Sequence, residues 1–153
     1  QLKEESRYYE NYFLGDQSKW ATNVNSYKFL YQKNLYNGID IKYYISNDKL
    51  KYDIIIEPNA ATDAIKVKYT GVNKIGLKRE NLSYDTNVNT VIEHQPYAYQ
   101  IINGNQVQVT CIYVLQKDVL SFDFPEGYNK NYELIIDPIL VNFSSIHSYP
   151  LSI

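Results

Sequence analysis

Residues 97–115 read "YAYQIINGNQVQVTCIYVL", two runs of strand-forming residues on either side of the dipeptide Asn103-Gly104. A two-residue type I′ turn needs a positive φ at both central positions, and Asn-Gly is the pair that adopts it most readily. The stretch therefore predicts an antiparallel hairpin over its whole length. Gly104 sets the register of this hairpin, and Pro96 stands immediately before its first strand.

The same alternation of apolar and polar residues continues through most of the chain, as half-buried strands require. Ile65, Val67 and Tyr69 share one face of a predicted strand, and residues 119–125 and 131–138 follow the same pattern. Asp53 is followed by a continuous run of isoleucines at 54–56, which predicts a central strand covered on both faces.

Short turn signals separate these runs, and helical signals are few. The predicted turns are Asn37-Gly38, Asn47-Asp48, Glu80-Asn81 and Lys117-Asp118. The prolines at predicted strand ends are Pro58, Pro96, Pro125 and Pro138. Single helical turns are predicted within 15–21, capped by Asp16, and within 58–64. We predict one all-β, antiparallel, sandwich-like domain of about ten short strands over residues 1–144, followed by a tail at 145–153.

Composition limits the classes of function. The 153 residues carry a formal net charge of -2 and only two arginines, which argues against nucleic acid as a partner. No apolar run reaches the roughly 18 residues of a membrane span. The single cysteine cannot form an internal disulfide, and residues 1–10 contain no signal-peptide core, so a signal for export would lie upstream.

Candidate nucleophiles and bases are scarce. His94 and His147 are the two histidines, and we interpret both as structural or surface residues. Cys111 is in phase with Val107, Val109, Tyr113 and Leu115, which predicts a buried and unreactive thiol. We expect no catalytic residue, no cofactor and no metal site, because Cys/His clusters, calcium loops and phosphate-binding glycine loops are absent from the sequence.

Strand-borne carboxylates are the remaining candidates for acid–base chemistry. They are Asp53, Glu57, Glu93, Asp123 and Asp137. Carboxylates that alternate with apolar residues usually form the solvated face of a strand, so we assign these residues to that face. Asp137 precedes Pro138 at a strand end, where an aspartate typically holds a turn through an Asx hydrogen bond.

Five segments occur in an order that resembles the N-terminal domain of large Bacteroidetes cell-surface proteins, in which the domain precedes repeats of the SBBP type predicted to form β-propeller blades. The segments are "ENYFLGDQSKWATNVNSY" (10–27), "LYNGIDIKYY" (35–44), "LKYDIIIEPNAATDAIKVKYTG" (50–71), "VIEHQPYAYQIINGNQVQV" (91–109) and "LIIDPILVNFSS" (134–145). The resemblance covers roughly residues 8 to 144. Two family features are missing: the upstream segment around a Gly-Gln-Trp motif, and the Tyr-x-Gly-Gly step after the domain.

The resemblance implies export across both membranes, by the type IX system, to the cell surface or the medium. It also implies that a fixed loop pattern of the domain is formed here by Tyr12, Gly15, Asp16, Lys19 and Trp20. The further residues that we assign to structural motifs are Gly38, Asp40, Asp53, Pro58, Pro96, Gly104, Asp137 and Pro138. Trp20 then belongs to a fixed loop, and we expect its ring to be packed as a plug against Phe13 and Leu14.

We therefore expect a non-enzymatic structural or interaction module that caps or presents an adjacent repeat domain, connected with adhesion or gliding. Its expected partners are other domains or chains of the same parent protein, surface glycans, or the secretion and gliding machinery. Two alternatives remain open: a carbohydrate-binding module using Trp20 and exposed tyrosines, and a glycoside hydrolase built on paired carboxylates. Because upstream strands are expected to be missing, we expect the first strand (Tyr8 to Leu14) and the last (Glu133 to Phe143) to be exposed edges that recruit another strand.

Overall fold

The computed structural model describes residues 1–46, 49–138 and 140–141. Strands dominate these residues, and the only helical elements among them are two 3₁₀ turns, Gln17–Lys19 and Thr62–Ala64. The strands are β1 (Leu2–Tyr12), β2 (Ala21–Tyr36), β3 (Ile39–Ser46), β4 (Lys49–Ile56), β5 (Val67–Lys68), β6 (Lys74–Lys78), β7 (Asn81–Asp85), β8 (Thr90–Glu93), β9 (Tyr97–Ile102), β10 (Asn105–Val109), β11 (Ile112–Gln116), β12 (Val119–Asp123), β13 (Leu134–Asp137) and β14 (Leu140–Val141).

The strands form three antiparallel sheets, which confirms the predicted fold class. The large sheet has seven strands in the order β1-β2-β3-β4-β13-β9-β10. The two smaller sheets have the orders β11-β12-β5 and β14-β8-β7-β6. The number of strands exceeds the predicted ten partly because β5 and β14 have only two residues each, too few for a periodic signal in the sequence.

The hydrophobic core joins residues of all three sheets. On the large sheet, the pairs Ile39↔Ile56 and Leu134↔Ile56 align the buried face of three neighbouring strands. The buried cluster is Ile39, Ile54, Ile56, Ile65, Leu82, Ala98, Val109, Cys111, Tyr113, Leu120, Phe122, Leu134 and Ile136. Strand β4 is central as predicted, but only Ile54 and Ile56 are buried, and Ile55 on the opposite face is half-buried.

The Asn-Gly hairpin is confirmed over residues 97–109 of the predicted 97–115. Asn103 and Gly104 have φ values of 52° and 81°, and β9 and β10 pair from Asn105↔Ile102 to Val109↔Ala98. The prediction that the hairpin extends to Leu115 is wrong, because the chain leaves the large sheet at 110–111 and enters the three-stranded sheet as β11. The alternation of apolar residues continues across this crossing, so the pattern gives no sign of it.

Most of the other predicted turns lie where expected. Gly38 (φ 70°) and Lys117 (φ 59°) occupy turns between paired strands, whereas the turn predicted at Glu80-Asn81 lies one residue earlier, where Arg79 has φ 57°. A Cβ atom at Gly38 would lie 3.0 Å from Cβ of Ala60, so close packing also favours glycine there. The Asn47-Asp48 turn lies outside the described residues.

The prolines flank strands as predicted. Pro58 and Pro125 follow the ends of β4 and β12 and are exposed, whereas Pro96 directly precedes β9 and Pro138 directly follows β13, and both are buried. A proline at such a position removes no ladder hydrogen bond.

The expectation about edge strands is right for the first strand and for only part of the last, because residues 133–143 contain β13, which is interior, and β14, which is an edge of the four-stranded sheet. β1 is an edge of the large sheet, with register shifts between Glu5 and Tyr9 and between Glu10 and Tyr12. Bulges and charged residues on an edge strand hinder the addition of another strand. β13, in contrast, pairs with β4 on one side and β9 on the other, because its apolar sequence suits an interior position.

Candidate functional site

The first candidate surface is a hairpin arm, defined as residues 8–25, formed by the distal parts of β1 and β2. Only residues 29–36 of β2 pair with β3, so the arm extends past the neighbouring strand. Every residue of the arm is exposed. It nevertheless contains several large apolar side chains, namely Tyr8, Tyr9, Tyr12, Phe13, Leu14, Trp20 and Val24. The arm therefore presents apolar surface that the described chain does not cover.

The loop of the arm is ordered by local hydrogen bonds. Asp16 caps the 3₁₀ turn by accepting from the backbone N–H of Ser18 at 2.8 Å, as predicted, and this bond holds the pKa of Asp16 below its usual value. Gly15 has φ 69°, and its carbonyl accepts a hydrogen bond from the indole N–H of Trp20 at 3.3 Å. Lys19 lies within the turn and is exposed.

Trp20 is not the buried plug that the sequence suggests. Its ring meets Phe13 edge-to-face with centroids 5.1 Å apart, but 44% of Trp20 is exposed, and Leu14 is 77% exposed. The correction has a structural cause, because the loop lies at the end of an extended arm and away from the core. Tyr12, also exposed, donates its hydroxyl hydrogen bond to Glu10.

Asp40 has a structural role in the β2–β3 hairpin, close to its turn and far along β2 from the arm. It is 4% exposed, accepts a hydrogen bond from the backbone N–H of Asn34 at 2.8 Å, and pairs with the ammonium group of Lys33. Burial opposes ionisation, but these bonds outweigh it and hold the pKa of Asp40 below its usual value. Asn34 has φ 51° and lies within a register shift between β2 and β3, so Asp40 stabilises this bulge.

Asp53 and Asp137 lie on adjacent strands, on the solvent-facing side of the large sheet. Asp53 accepts a hydrogen bond from the hydroxyl of Tyr44 at 3.0 Å, and burial raises the pKa of this carboxyl. Oδ1 of Asp137 is buried without a hydrogen-bond partner among the described residues and lies 3.7 Å from Nζ of Lys51. Asp137 thus faces a lysine across the sheet, and the expected Asx turn would involve residue 139, which lies outside the described residues.

The second candidate surface is a cavity of about 510 Å³, here named the Glu93 cavity. It lies between β3 and β4 of the large sheet, the segment around β5, and β7 and β8. Its walls are mainly apolar and include Ile41, Tyr43, Tyr52, Ile54, Val67 and Val91. Small-molecule sites typically have this size and a mostly apolar lining with few polar groups.

Glu93 is the one acidic residue among the described side chains that line this cavity. It is 3% exposed, and its Oε1 accepts a hydrogen bond from the hydroxyl of Tyr69 at 3.0 Å. Its Oε2 is buried and has no hydrogen-bond partner in the described part of the chain. Burial raises the pKa of Glu93, and the hydroxyls of Tyr69 and Tyr84 only partly oppose this shift by hydrogen bonding to the carboxyl.

The placement of Glu93 corrects its assignment to a solvated strand face. Val91 and Glu93 are both buried, whereas Ile92 between them is exposed. In the sequence, Glu93 lies two residues after Val91 and so shares its face of the strand, which indicates burial. The charge of a glutamate argues against burial, and for that reason the sequence pattern alone predicts the wrong face. Tyr69 and Tyr84, whose rings lie 5.0 Å apart, supply the polar surroundings that the burial needs.

The other candidates do not converge on one centre. Glu57, His94 and Asp123 are exposed, and His147 lies outside the described residues. Cys111 is buried as predicted, and burial raises the pKa of its thiol to about 12. Within residues 1–46, 49–138 and 140–141, no three His, Cys, Asp or Glu side chains are arranged to hold a metal ion, and no helix is long and apolar enough to span a membrane.

Comparison with known proteins gives a family but no activity. No curated protein and no solved structure matches the chain. One family model, described as a domain of unknown function (DUF7948), matches residues 1–139 and so covers both the hairpin arm and the Glu93 cavity. The chain belongs to this family of DUF7948 domains.

Proposed function

We propose that this domain is a non-enzymatic interaction module that joins other domains or chains of its parent protein through the hairpin arm. The observation that carries the proposal is the exposure of the arm, in which Phe13, Trp20 and Leu14 are 55%, 44% and 77% exposed. Clustered exposed apolar side chains typically mark interaction sites.

The energetics favour a protein partner for the arm. Burying one large apolar side chain contributes about 1.5–3 kcal/mol, so a few such residues suffice for a specific contact. Aromatic residues at the centre of an interface commonly provide most of the binding energy. Phe13 and Trp20 already pack against each other, so less side-chain freedom is lost when a partner covers them.

The parent protein in this proposal is a large secreted or surface-displayed bacterial protein, and the domain caps or presents its adjacent repeats. The resemblance to Bacteroidetes SBBP-repeat proteins supports this finer proposal, together with type IX export and a role in adhesion or gliding. A repeat array needs terminal caps that cover its apolar ends. In this proposal the exposed apolar side chains of the arm cover such an end.

The decisive experiment measures binding between this domain and the segment that follows it in the parent protein, produced separately. Titration calorimetry should give a saturable affinity for the wild-type domain. We expect the double variant Phe13→Ala/Trp20→Ala to weaken this affinity by roughly tenfold or more, since central aromatic residues are worth about 2 kcal/mol or more each.

Val88→Ala is the matched control, because Val88 is 84% exposed but lies in the turn between β7 and β8. It should bind like the wild type. Equal affinities for all three proteins, or no binding to any neighbouring segment of the parent, would contradict an interface at the arm.

A second candidate function is carbohydrate binding by the same loop. It is favoured by the exposed face of Trp20, whose indole N–H is already bonded to Gly15, so that the ring is held in place. A glycan array separates the two proposals. Binding to defined glycans that Trp20→Ala abolishes, without binding to neighbouring segments, would favour the carbohydrate module.

A further inference from the structure

The two edges of the large sheet differ in how they are protected against the addition of another strand. β1, at one edge, has register shifts and exposed charged residues at 3–5, and both features hinder further pairing. β10, at the other edge, pairs with β9 in an unbroken register from Asn105 to Val109. Residues 97–116 contain neither a charged residue nor a proline. β10 therefore lacks the features that protect β1.

The free side of β10 presents backbone groups at positions 106 and 108. In a two-residue hairpin the residues that flank the turn form a hydrogen-bonded pair, here Ile102 and Asn105. Hydrogen-bonded and non-hydrogen-bonded pairs alternate along an antiparallel ladder, so the N–H and C=O groups of Gln106 and Gln108 point away from β9. In the described part of the chain, β9 is the only strand that pairs with β10. These backbone groups are therefore available to a further strand.

The side chains of β10 also suit a neighbouring strand. Val107 lies opposite Gln100 on the core-facing side of the sheet, but Val107 is 43% exposed whereas Gln100 is 1% exposed. This exposure arises because β10 is an edge, and a strand placed beside it would cover Val107. Gln106 and Gln108 lie on the other face and are exposed and uncharged, so they do not repel an incoming strand.

We propose that β10 pairs antiparallel with β10 of a second copy of this chain, around a two-fold axis at Val107. Gln106 of each copy then lies opposite Gln108 of the other, and each such pair exchanges N–H···O=C hydrogen bonds. The two Val107 side chains meet at the axis. The result is one sheet that runs continuously through both copies.

The symmetry of the free edge favours a second copy as the occupant. A two-fold interface must be self-complementary, because the same surface is used on both sides. The outward-pointing residues of β10, Gln106 and Gln108, are placed symmetrically about Val107, so an identical strand satisfies all their backbone groups. β10 lies at the edge opposite to β1, so this interface is separate from the hairpin arm and does not depend on its function.

The first test measures the oligomeric state of the pure chain. Sedimentation velocity from about 10 µM to about 1 mM should show a reversible dimer whose share rises with concentration. Gln108→Pro removes an N–H that points away from β9, a position at which an edge strand tolerates proline. It should weaken dimerisation roughly tenfold or more, because one strand-to-strand bond is lost in each copy. Thermal melting checks that this variant is folded.

A pair of charge variants tests the register and does not rely on proline. In the proposed pairing, Gln106→Glu/Gln108→Lys places each glutamate opposite a lysine of the other copy, whereas Gln106→Lys/Gln108→Lys places lysine opposite lysine. The first variant should dimerise at least as tightly as the wild type. The second should dimerise several-fold more weakly, because like charges on opposite strands repel. High salt should reduce the difference between them.

The arm variant Phe13→Ala/Trp20→Ala is the matched control and should dimerise like the wild type, since the arm lies at the other edge. The proposal is overturned if the wild type stays monomeric at the highest concentration, or if the two charge variants dimerise equally. It is also overturned if the arm variant abolishes the dimer while the β10 variants do not. None of these results bears on whether the arm binds a neighbouring segment of the parent protein.

Discussion

Glu93 and Tyr69 join the two smaller sheets, since the 3.0 Å hydrogen bond between them links the end of β8 to the residue after β5. The bond lies beside the cavity and is largely shielded from water. A buried carboxyl in such a place ties the stability of the domain to pH.

We predict that Glu93→Gln changes the pH dependence of stability. The raised pKa of Glu93 means that the folded protein holds this proton more tightly than the unfolded chain. The stabilising effect of the proton is therefore complete below the usual glutamate pKa, and it is lost as the pH rises through the raised value. Denaturant unfolding from about pH 4 to about pH 8 should show wild type losing stability relative to the variant. A difference that stays constant over this range would contradict the prediction.

Gln100 should be among the most sensitive polar residues. It is 1% exposed, its Nε2 donates to the carbonyl of Asn129 at 2.8 Å, and its Oε1 accepts from the N–H of Asn129 at 3.0 Å. Gln100→Leu leaves these backbone groups without partners, so we expect a loss of about 2 kcal/mol or more in the free energy of unfolding. Gln108→Leu, at an exposed position of β10, should change it by less than about 0.5 kcal/mol. Equal effects on the denaturant midpoint would argue against this role.

Gly104→Val should destabilise the β9–β10 hairpin. Gly104 has φ 81°, which a β-branched residue adopts only at a cost of roughly 1–2 kcal/mol. Gly76 in β6 is the comparison, because it lacks a positive φ and a Cβ atom there would meet nothing within 4 Å beyond its chain neighbours. Gly76→Val should be neutral or stabilising, and an unchanged denaturant midpoint in Gly104→Val would refute the assignment.

Trp20→Ala should cost only about 1 kcal/mol, which is the range of an edge-to-face aromatic pair at a partly exposed site. Ile136→Ala, at a position that is 0% exposed, should cost about 2–5 kcal/mol. Thermal unfolding of both variants measures the contrast. If the two losses are similar, Trp20 is packed more tightly in solution than its exposure indicates.

The fold class follows from local sequence chemistry because strands and turns leave local patterns. The Asn103-Gly104 turn, the Asp16 cap and the alternation around Val67 each depend on neighbouring residues, and all three are present. The crossing of the chain between sheets at 110–111 depends on tertiary packing and leaves the alternation intact. That is why the sequence pattern predicts too long a hairpin.

The candidate site is harder to predict for a related reason. Glu93 lies in phase with Val91, but only the assembled tyrosines explain how a carboxylate is accommodated there. Trp20 lies where nearby apolar residues suggest burial, yet the sequence does not reveal that β1 and β2 extend beyond β3. The wrong predictions for Glu93 and Trp20 both concern which surfaces of the protein pack against each other. Such packing depends on segments that are far apart in the sequence.

The position of Cys111 makes its thiol a natural chemical probe for local opening of the fold. It is the only cysteine, it is 1% exposed, and it lies at the crossing between the large sheet and the three-stranded sheet. Thiol reagents react with the thiolate, which burial disfavours at neutral pH. The rate of reaction with such a reagent therefore measures how fast the large sheet and the three-stranded sheet separate at Cys111. Each molecule takes up a single label, and no engineered residue is needed.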